Sequence, residues 1–319
     1  MLTSSDVRGV CAFVPTPVRH SSAGDLSSSV DLDEATRLAS RLVDDGIGML
    51  ALAGTTGEGA ALLWEEKHEL VAAVVEEVAG RVPVFAGAIE LGTREVVRQM
   101  RAYEALGVSG AIITAPFWQT PTLDNAVRFV EDLSEAVPGL PTMIYSNKFF
   151  FKFEYPTEYW QRIASGASTV IATKVSYDFR PEDYEVAGKQ IRFMGGEGNF
   201  RAVHDVLGQE AVAAWCTSAA MGPEPWIALL AAVEANDDDR VERVLSDIES
   251  VPPPMPMDEF HLFSSYNIQL EKVRINAAGY VDCGPPRAPY TDIPEKWQKA
   301  AESNGIAWKA LSERYRAQA

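Results

Sequence analysis

Between Val10 and Ala235 the sequence alternates eight times between a short apolar run and a longer stretch with helical spacing, a pattern that few folds can absorb. The short runs are Val10 to Val14, Ile47 to Ala53, Val82 to Ala88, Gly110 to Thr114, Pro141 to Tyr145, Val170 to Lys174, Ile191 to Gly195 and Ala211 to Thr217, and each reads as a strand. The segments between them carry helix signals. Asp31 with Glu34 three residues on has the form of a capping box, Leu38, Leu42 and Val43 mark one helical face, and Gly46 stops it. Leu70, Val71, Val74, Val75 and Val78 mark a second face, closed at Gly80. Eight such units in roughly 235 residues fit a (β/α)8 barrel, which takes about 250 residues, better than an open doubly wound sheet. Past Ala235 only helices are expected: Asp239 to Ser250, then a proline-rich break, then Phe260 to Ala278 and Pro294 to Arg316. The expected organisation is a barrel over residues 1–236 with a helical extension over 237–319 packed on it, because the extension has few apolar residues for a core of its own.

Charge narrows the partners. A formal charge of −17 would be repelled by nucleic acid and by anionic membrane, so a small-molecule partner is expected. The sequence opens without a signal-peptide pattern and has no apolar stretch of membrane-spanning length, which points to a cytoplasmic protein. Cys11, Cys216 and Cys283 are scattered and odd in number, as in a reducing compartment, and His20, His68, His204 and His261 show no metal-binding spacing. A serine-rich loop follows His20.

In a barrel of this type chemistry sits at the carboxyl ends of the strands. The sixth strand, Val170-Ile171-Ala172-Thr173-Lys174-Val175, carries a lysine near that end. Burial disfavours the charged ammonium, so a lysine there is expected to have a lowered pKa and a nucleophilic amine. The second strand ends in Gly54-Thr55-Thr56-Gly57-Glu58, whose glycines permit a tight turn and whose threonines offer donors to a carboxylate. The fifth ends in Tyr145-Ser146-Asn147, adding a phenol and an amide. An amine, a carboxylate-binding loop and a phenolic proton carrier are together what a Schiff-base aldolase of a 2-keto acid requires, with no metal or organic cofactor.

The order Thr16-Pro17, Gly54-Thr55-Thr56-Gly57-Glu58, Tyr145-x-Asn147 and Lys174 resembles the dihydrodipicolinate synthase and N-acetylneuraminate lyase superfamily over essentially the whole barrel. Within it the chain resembles the bacterial trans-o-hydroxybenzylidenepyruvate hydratase-aldolases, through Trp64-Glu65-Glu66-Lys67, Arg81-Val82-Pro83-Val84-Phe85, Thr93-Arg94-Glu95-Val96, Phe151-Lys152-Phe153 and Tyr266-Asn267-Ile268-x-Leu270-Glu271-Lys272. The resemblance implies that Lys174 forms the Schiff base, Tyr145 is the acid/base, and Thr55 and Thr56 bind the pyruvate carboxylate. It implies further that Asn147, Trp118, Trp215 and Asn267 line the rest of the pocket, and that the protein is a homotetramer.

Two departures separate the chain from the synthase and lyase activities. Those enzymes follow the tyrosine with a proline and often an arginine that grips a substrate carboxylate, where this sequence has Lys148-Phe149-Phe150-Phe151. The synthases also place a tyrosine after the fourth strand, where this sequence has Pro116-Phe117-Trp118. An aromatic wall there suits an aryl substrate, and Lys148 could face its ring substituent. Gly195-Gly196-Glu197-Gly198 reads as a loop, and Asp237-Asp238-Asp239 as a solvated helix start. The expected activity is hydration and aldol cleavage of an aryl-substituted alkylidene pyruvate to pyruvate and an aromatic aldehyde. The alternatives are another 2-keto acid aldolase acting on a sugar acid, or a non-catalytic barrel that senses a small molecule.

Overall fold

In a computed structural model of the protein, residues 1–19 and 30–318 are described; His20 and the serine-rich stretch lie outside them. Eight parallel strands close in sequence order into a barrel: β1 (Gly9–Phe13), β2 (Met49–Leu52), β3 (Val84–Gly87), β4 (Gly110–Ile113), β5 (Thr142–Asn147), β6 (Val170–Ser176), β7 (Arg192–Gly196) and β8 (Ala213–Cys216). All eight expected strands form, with ends shifted by at most two residues. Between and after them run α1 (Leu32–Asp44), α2 (Trp64–Val78), α3 (Thr93–Ala105), α4 (Leu123–Ala136), α5 (Lys148–Phe151), α6 (Thr157–Gly166), α7 (Pro181–Ala187), α8 (Phe200–Leu207) and α9 (Glu224–Glu234). The C-terminal region is helical: α10 (Asp238–Glu249), α11 (Phe263–Ala278) and α12 (Glu295–Arg316). No helix among the described residues is long and apolar enough to cross a membrane.

Two compact units divide the chain, Met1–Gly9 with Pro83–Trp215, and Val10–Val82 with Cys216–Ala319. In the first, β3 through β8 pair neighbour to neighbour. Its core includes Phe85, Ile112, Ile144, Ala172 and Met194, all fully or nearly fully buried, as expected where parallel strands are covered on both faces. In the second, β1 pairs with β2, and α11 and α12 pack on the segment that follows β8. The Trp308 indole donates to the Gly222 carbonyl at 2.9 Å, and Trp297, fully buried, packs with Leu270, Met255 and Ala301. The helical extension thus belongs to the same compact unit as β1 and β2.

Local signals held with two corrections. Asp31 does cap α1, accepting from the Glu34 N–H at 3.1 Å. The reciprocal half of the capping box is absent, because the Glu34 carboxylate is taken by Arg37 and by the Asp282 N–H. The second correction concerns Gly195 and Gly196, which end β7 and are buried, so the loop begins only at Glu197. Asp237 accepts from the Arg240 N–H at 2.9 Å and starts α10.

Candidate active site

Parallel register sets Tyr145 directly beside Lys174 on β5 and β6, so the two side chains leave the strands on the same face. On the opposite face, Ser146 Oγ donates to the Lys174 carbonyl at 2.7 Å and Thr173 Oγ1 donates to the Ile144 carbonyl at 3.0 Å. These buried cross-links fix the register that the two inward groups depend on.

The Lys174 ammonium lies 3.9 Å from the ring centre of Tyr145 and 3.9 Å from that of Trp215. All three side chains are buried. Two electron-rich ring faces attract a cation and offset part of the cost of burying it. Trp215 is held by its indole N–H, which donates to the Val175 carbonyl at 2.9 Å. The same carbonyl accepts from Asn199 Nδ2 at 2.9 Å, while Asn199 Oδ1 accepts from the Gly196 N–H at 2.8 Å. Asn199 thus ties the ends of β6 and β7 beside the lysine.

Tyr145 is held through its hydroxyl, its ring and its backbone carbonyl. Asn147 Nδ2 donates to its hydroxyl at 3.3 Å, and Asn147 Oδ1 caps the short helix α5 by accepting from the Phe149 and Phe150 N–H groups. Phe151, buried, meets the Tyr145 ring edge to face with centres 5.1 Å apart. Tyr155, fully buried, donates to the Tyr145 carbonyl at 3.3 Å. Burial pushes the Tyr155 phenol well above its ordinary pKa, so it remains a donor at neutral pH.

The remaining expected site residues fall into several surroundings. Lys148 begins α5 and its ammonium sits 2.7 Å from the Asp178 carboxylate, with Glu154 at 4.0 Å, both acids exposed. The hydrogen bond that Lys148 donates to Asp178 raises the lysine's pKa. Trp118, in the segment after β4, is 73 % exposed, whereas Phe117 packs against Phe151 at 5.6 Å. In the other compact unit, Thr56 is buried and Thr55 half-buried in the turn after β2, and Asn267 is buried on α11. The turn is closed by Glu58 N–H to Thr55 carbonyl at 2.9 Å, Gly59 N–H to Gly54 carbonyl at 3.0 Å, and Thr16 Oγ1 to Gly57 carbonyl at 2.7 Å.

In the lysine's surroundings Tyr155 escaped the sequence reading, as did Asn199, and Gly196 was read only as part of a loop. Only the last two carry a local signal, the Gly-Gly-x-Gly-Asn run at a strand end. Gly196 is required by close approach, since a Cβ there would overlap the Trp215 carbonyl and indole ring. Gly196→Ala is therefore expected to displace Trp215 from the lysine, costing about 1–3 kcal/mol of stability as an overpacked site and lowering turnover with it. Thermal denaturation together with indole fluorescence would check this; an unchanged Trp215 environment would mean that the backbone yields instead.

A model of the dihydrodipicolinate synthetase family matches residues 6–303. A trans-O-hydroxybenzylidenepyruvate hydratase-aldolase of Pseudomonas putida is 35% identical, covering 98% of this chain and 96% of that protein. A trans-2'-carboxybenzalpyruvate hydratase-aldolase of Nocardioides sp. (strain KP7) is 30% identical with the same coverage. Among solved structures, one described as PhdJ bound to substrate intermediate superposes with a TM-score of 0.92 at 32% identity, over 98% of this chain and 99% of that one.

Proposed function

Since the chain belongs to the dihydrodipicolinate synthetase family, we propose that it is a Schiff-base lyase that hydrates and cleaves an aryl-substituted alkylidene pyruvate, yielding pyruvate and an aromatic aldehyde. The observation that carries this reading is the buried amine of Lys174 lying between the rings of Tyr145 and Trp215. Full-length relatives bearing hydratase-aldolase names support it.

In this mechanism the Lys174 amine attacks the keto carbon, C2, and water leaves as the iminium forms. The iminium withdraws electrons through the conjugated C3–C4 double bond, so water adds at C4 and a proton is taken up at C3. Removal of the new hydroxyl's proton breaks the C3–C4 bond. The aldehyde departs, the electron pair becomes the enamine, C3 is reprotonated, and hydrolysis returns pyruvate and the free lysine. Tyr145 is the proton carrier, and the faces of Tyr145 and Trp215 favour the cationic iminium. Thr55 and Thr56 are proposed to bind the substrate carboxylate, with Asn147 and Asn267 as further polar groups and Trp118 and Trp215 as aromatic ones. Lys148 is proposed at the ring end, where a ring carboxylate would have to compete with Asp178 for its ammonium.

The reaction proposed needs no metal or organic cofactor. Assembly as a homotetramer and a role in aromatic hydrocarbon breakdown are proposed by family resemblance, and a cytoplasmic location and the division into a barrel over 1–236 and an extension over 237–319 are proposed from the sequence pattern. The test is product analysis with a panel of benzylidenepyruvates bearing 2-hydroxy, 2-carboxy or no ring substituent. Equimolar pyruvate and the matching aldehyde are expected from at least one of them. Cleavage of sugar-derived 2-keto acids alone would replace this reading with a sugar-acid lyase.

A further inference from the structure

Behind the Gly54–Glu58 turn lies a buried cluster of charges that the reaction as proposed does not use. Glu58 is fully buried, and Lys272 and Arg287 nearly so. The Lys272 ammonium donates to the Thr16 carbonyl at 2.8 Å and the Cys283 carbonyl at 2.7 Å, and lies 3.0 Å from the Glu58 carboxylate. Three acceptors around one nitrogen match the three protons of an ammonium, one more than a neutral amine could offer. Arg287, always charged, donates from its guanidinium to Glu58, to the Thr16 carbonyl and to the Pro17 carbonyl, and its backbone N–H meets Glu58 at 2.6 Å. Glu58 itself holds a left-handed backbone conformation (φ 53°) that glutamate rarely adopts, and Gly59 has no room for a Cβ against the Ala53 carbonyl.

The charges do not balance, with two cations facing one carboxylate. Among the described residues, the other groups packed against them do not close the gap. Burial pushes the Cys283 thiol up to about 12, so it is neutral; Asp282 is exposed to solvent; and Glu271, one residue from Lys272, is paired with Arg274. Thr16, which accepts from both cations, also donates to the Gly57 carbonyl inside the turn.

We infer that Lys272 and Arg287, supplied by the C-terminal region, are positioning residues for the Thr55–Thr56 turn, and that their surplus positive charge is matched by the carboxylate of the bound 2-keto acid. The inference rests on the proposed role of that turn. A surplus buried charge is costly in the free protein and is relieved when an anion binds, so it selects a 2-keto acid over a neutral ketone of the same shape.

The experiment measures borohydride trapping as a function of concentration for pyruvate and for pyruvamide, which is nearly isosteric and uncharged. Lys272→Met leaves Glu58 paired with Arg287, so no buried charge is orphaned, and Lys272→Gln additionally keeps a donor for the carbonyls. Both variants are expected to need about tenfold more pyruvate for half-trapping, the scale of one partly screened charge, with the pyruvamide requirement changed less than about twofold. Lys272→Arg should restore the preference. Equal weakening toward both ligands, or none toward either, in whichever variant retains a cooperative thermal transition, would overturn the charge role, as would loss of that transition in both. If the unaltered protein gave no adduct with pyruvate, the reaction assignment would fall, and this inference with it.

Discussion

Replacing Lys174 by methionine is expected to abolish turnover, by about 10⁴-fold or more, while leaving thermal stability unchanged or slightly raised. The two halves of that expectation come from the same geometry. Methionine fills nearly the same volume between the Tyr145 and Trp215 rings, and replacing a buried charged side chain by an apolar one of similar volume is often neutral or favourable. The imine, however, requires an amine. Lys272 is also buried, but its three protons are committed to Thr16, Cys283 and Glu58. Lys148 is held by Asp178. Incubation with pyruvate and borohydride should place the adduct on the peptide containing Lys174, and the methionine variant should carry none. An adduct on a different lysine would move the chemistry away from β6.

Tyr145→Phe is expected to lower turnover by about 10²- to 10⁴-fold with little change in substrate KM. The ring is retained, so its face still meets the lysine and its edge-to-face contact with Phe151 persists. What is lost is the hydroxyl, which accepts from Asn147 Nδ2. If the hydroxyl moves protons, pyruvate should still be trapped by borohydride while both hydration and aldol cleavage slow. Trapping that falls in parallel with turnover would show instead that the hydroxyl orients Lys174, and the proton carrier would have to be sought elsewhere. Tyr155 is a poor substitute, because its phenol is fully buried and donates to the Tyr145 backbone carbonyl.

These two residues were legible in the sequence for a physical reason. A parallel strand buried on both faces reads as a continuous apolar run, so Lys174 stood out as a charge within Val170 to Val175, and each strand announced its carboxyl end. The barrel was legible for the same reason, since eight apolar runs divided by helical periodicity leave little other way to bury so much surface. Local capping was only half legible. Asp31 caps α1 as its spacing suggested, but the partner of Glu34 comes from Asp282, nearly 250 positions away, and no window of sequence contains both.

By itself, then, the sequence determined the order of strands and helices, the strand-end positions of Tyr145, Asn147 and Lys174, and the surplus of negative charge that disfavours polyanionic partners. The tertiary structure alone decided how those positions are held. Pairing of β5 with β6 set Tyr145 level with Lys174, and the missing Cβ of Gly196 let Trp215 approach the ammonium. Asn199 and Tyr155 became supports only because distant strands brought the Val175 and Tyr145 carbonyls within reach. The same holds for Glu58, which in the sequence is the last residue of a turn and in the fold is fully buried between Lys272 and Arg287. Periodicity reports which face of an element is covered, but a buried polar group is stable only if its partners arrive with matching geometry, and those partners are chosen by packing across the chain.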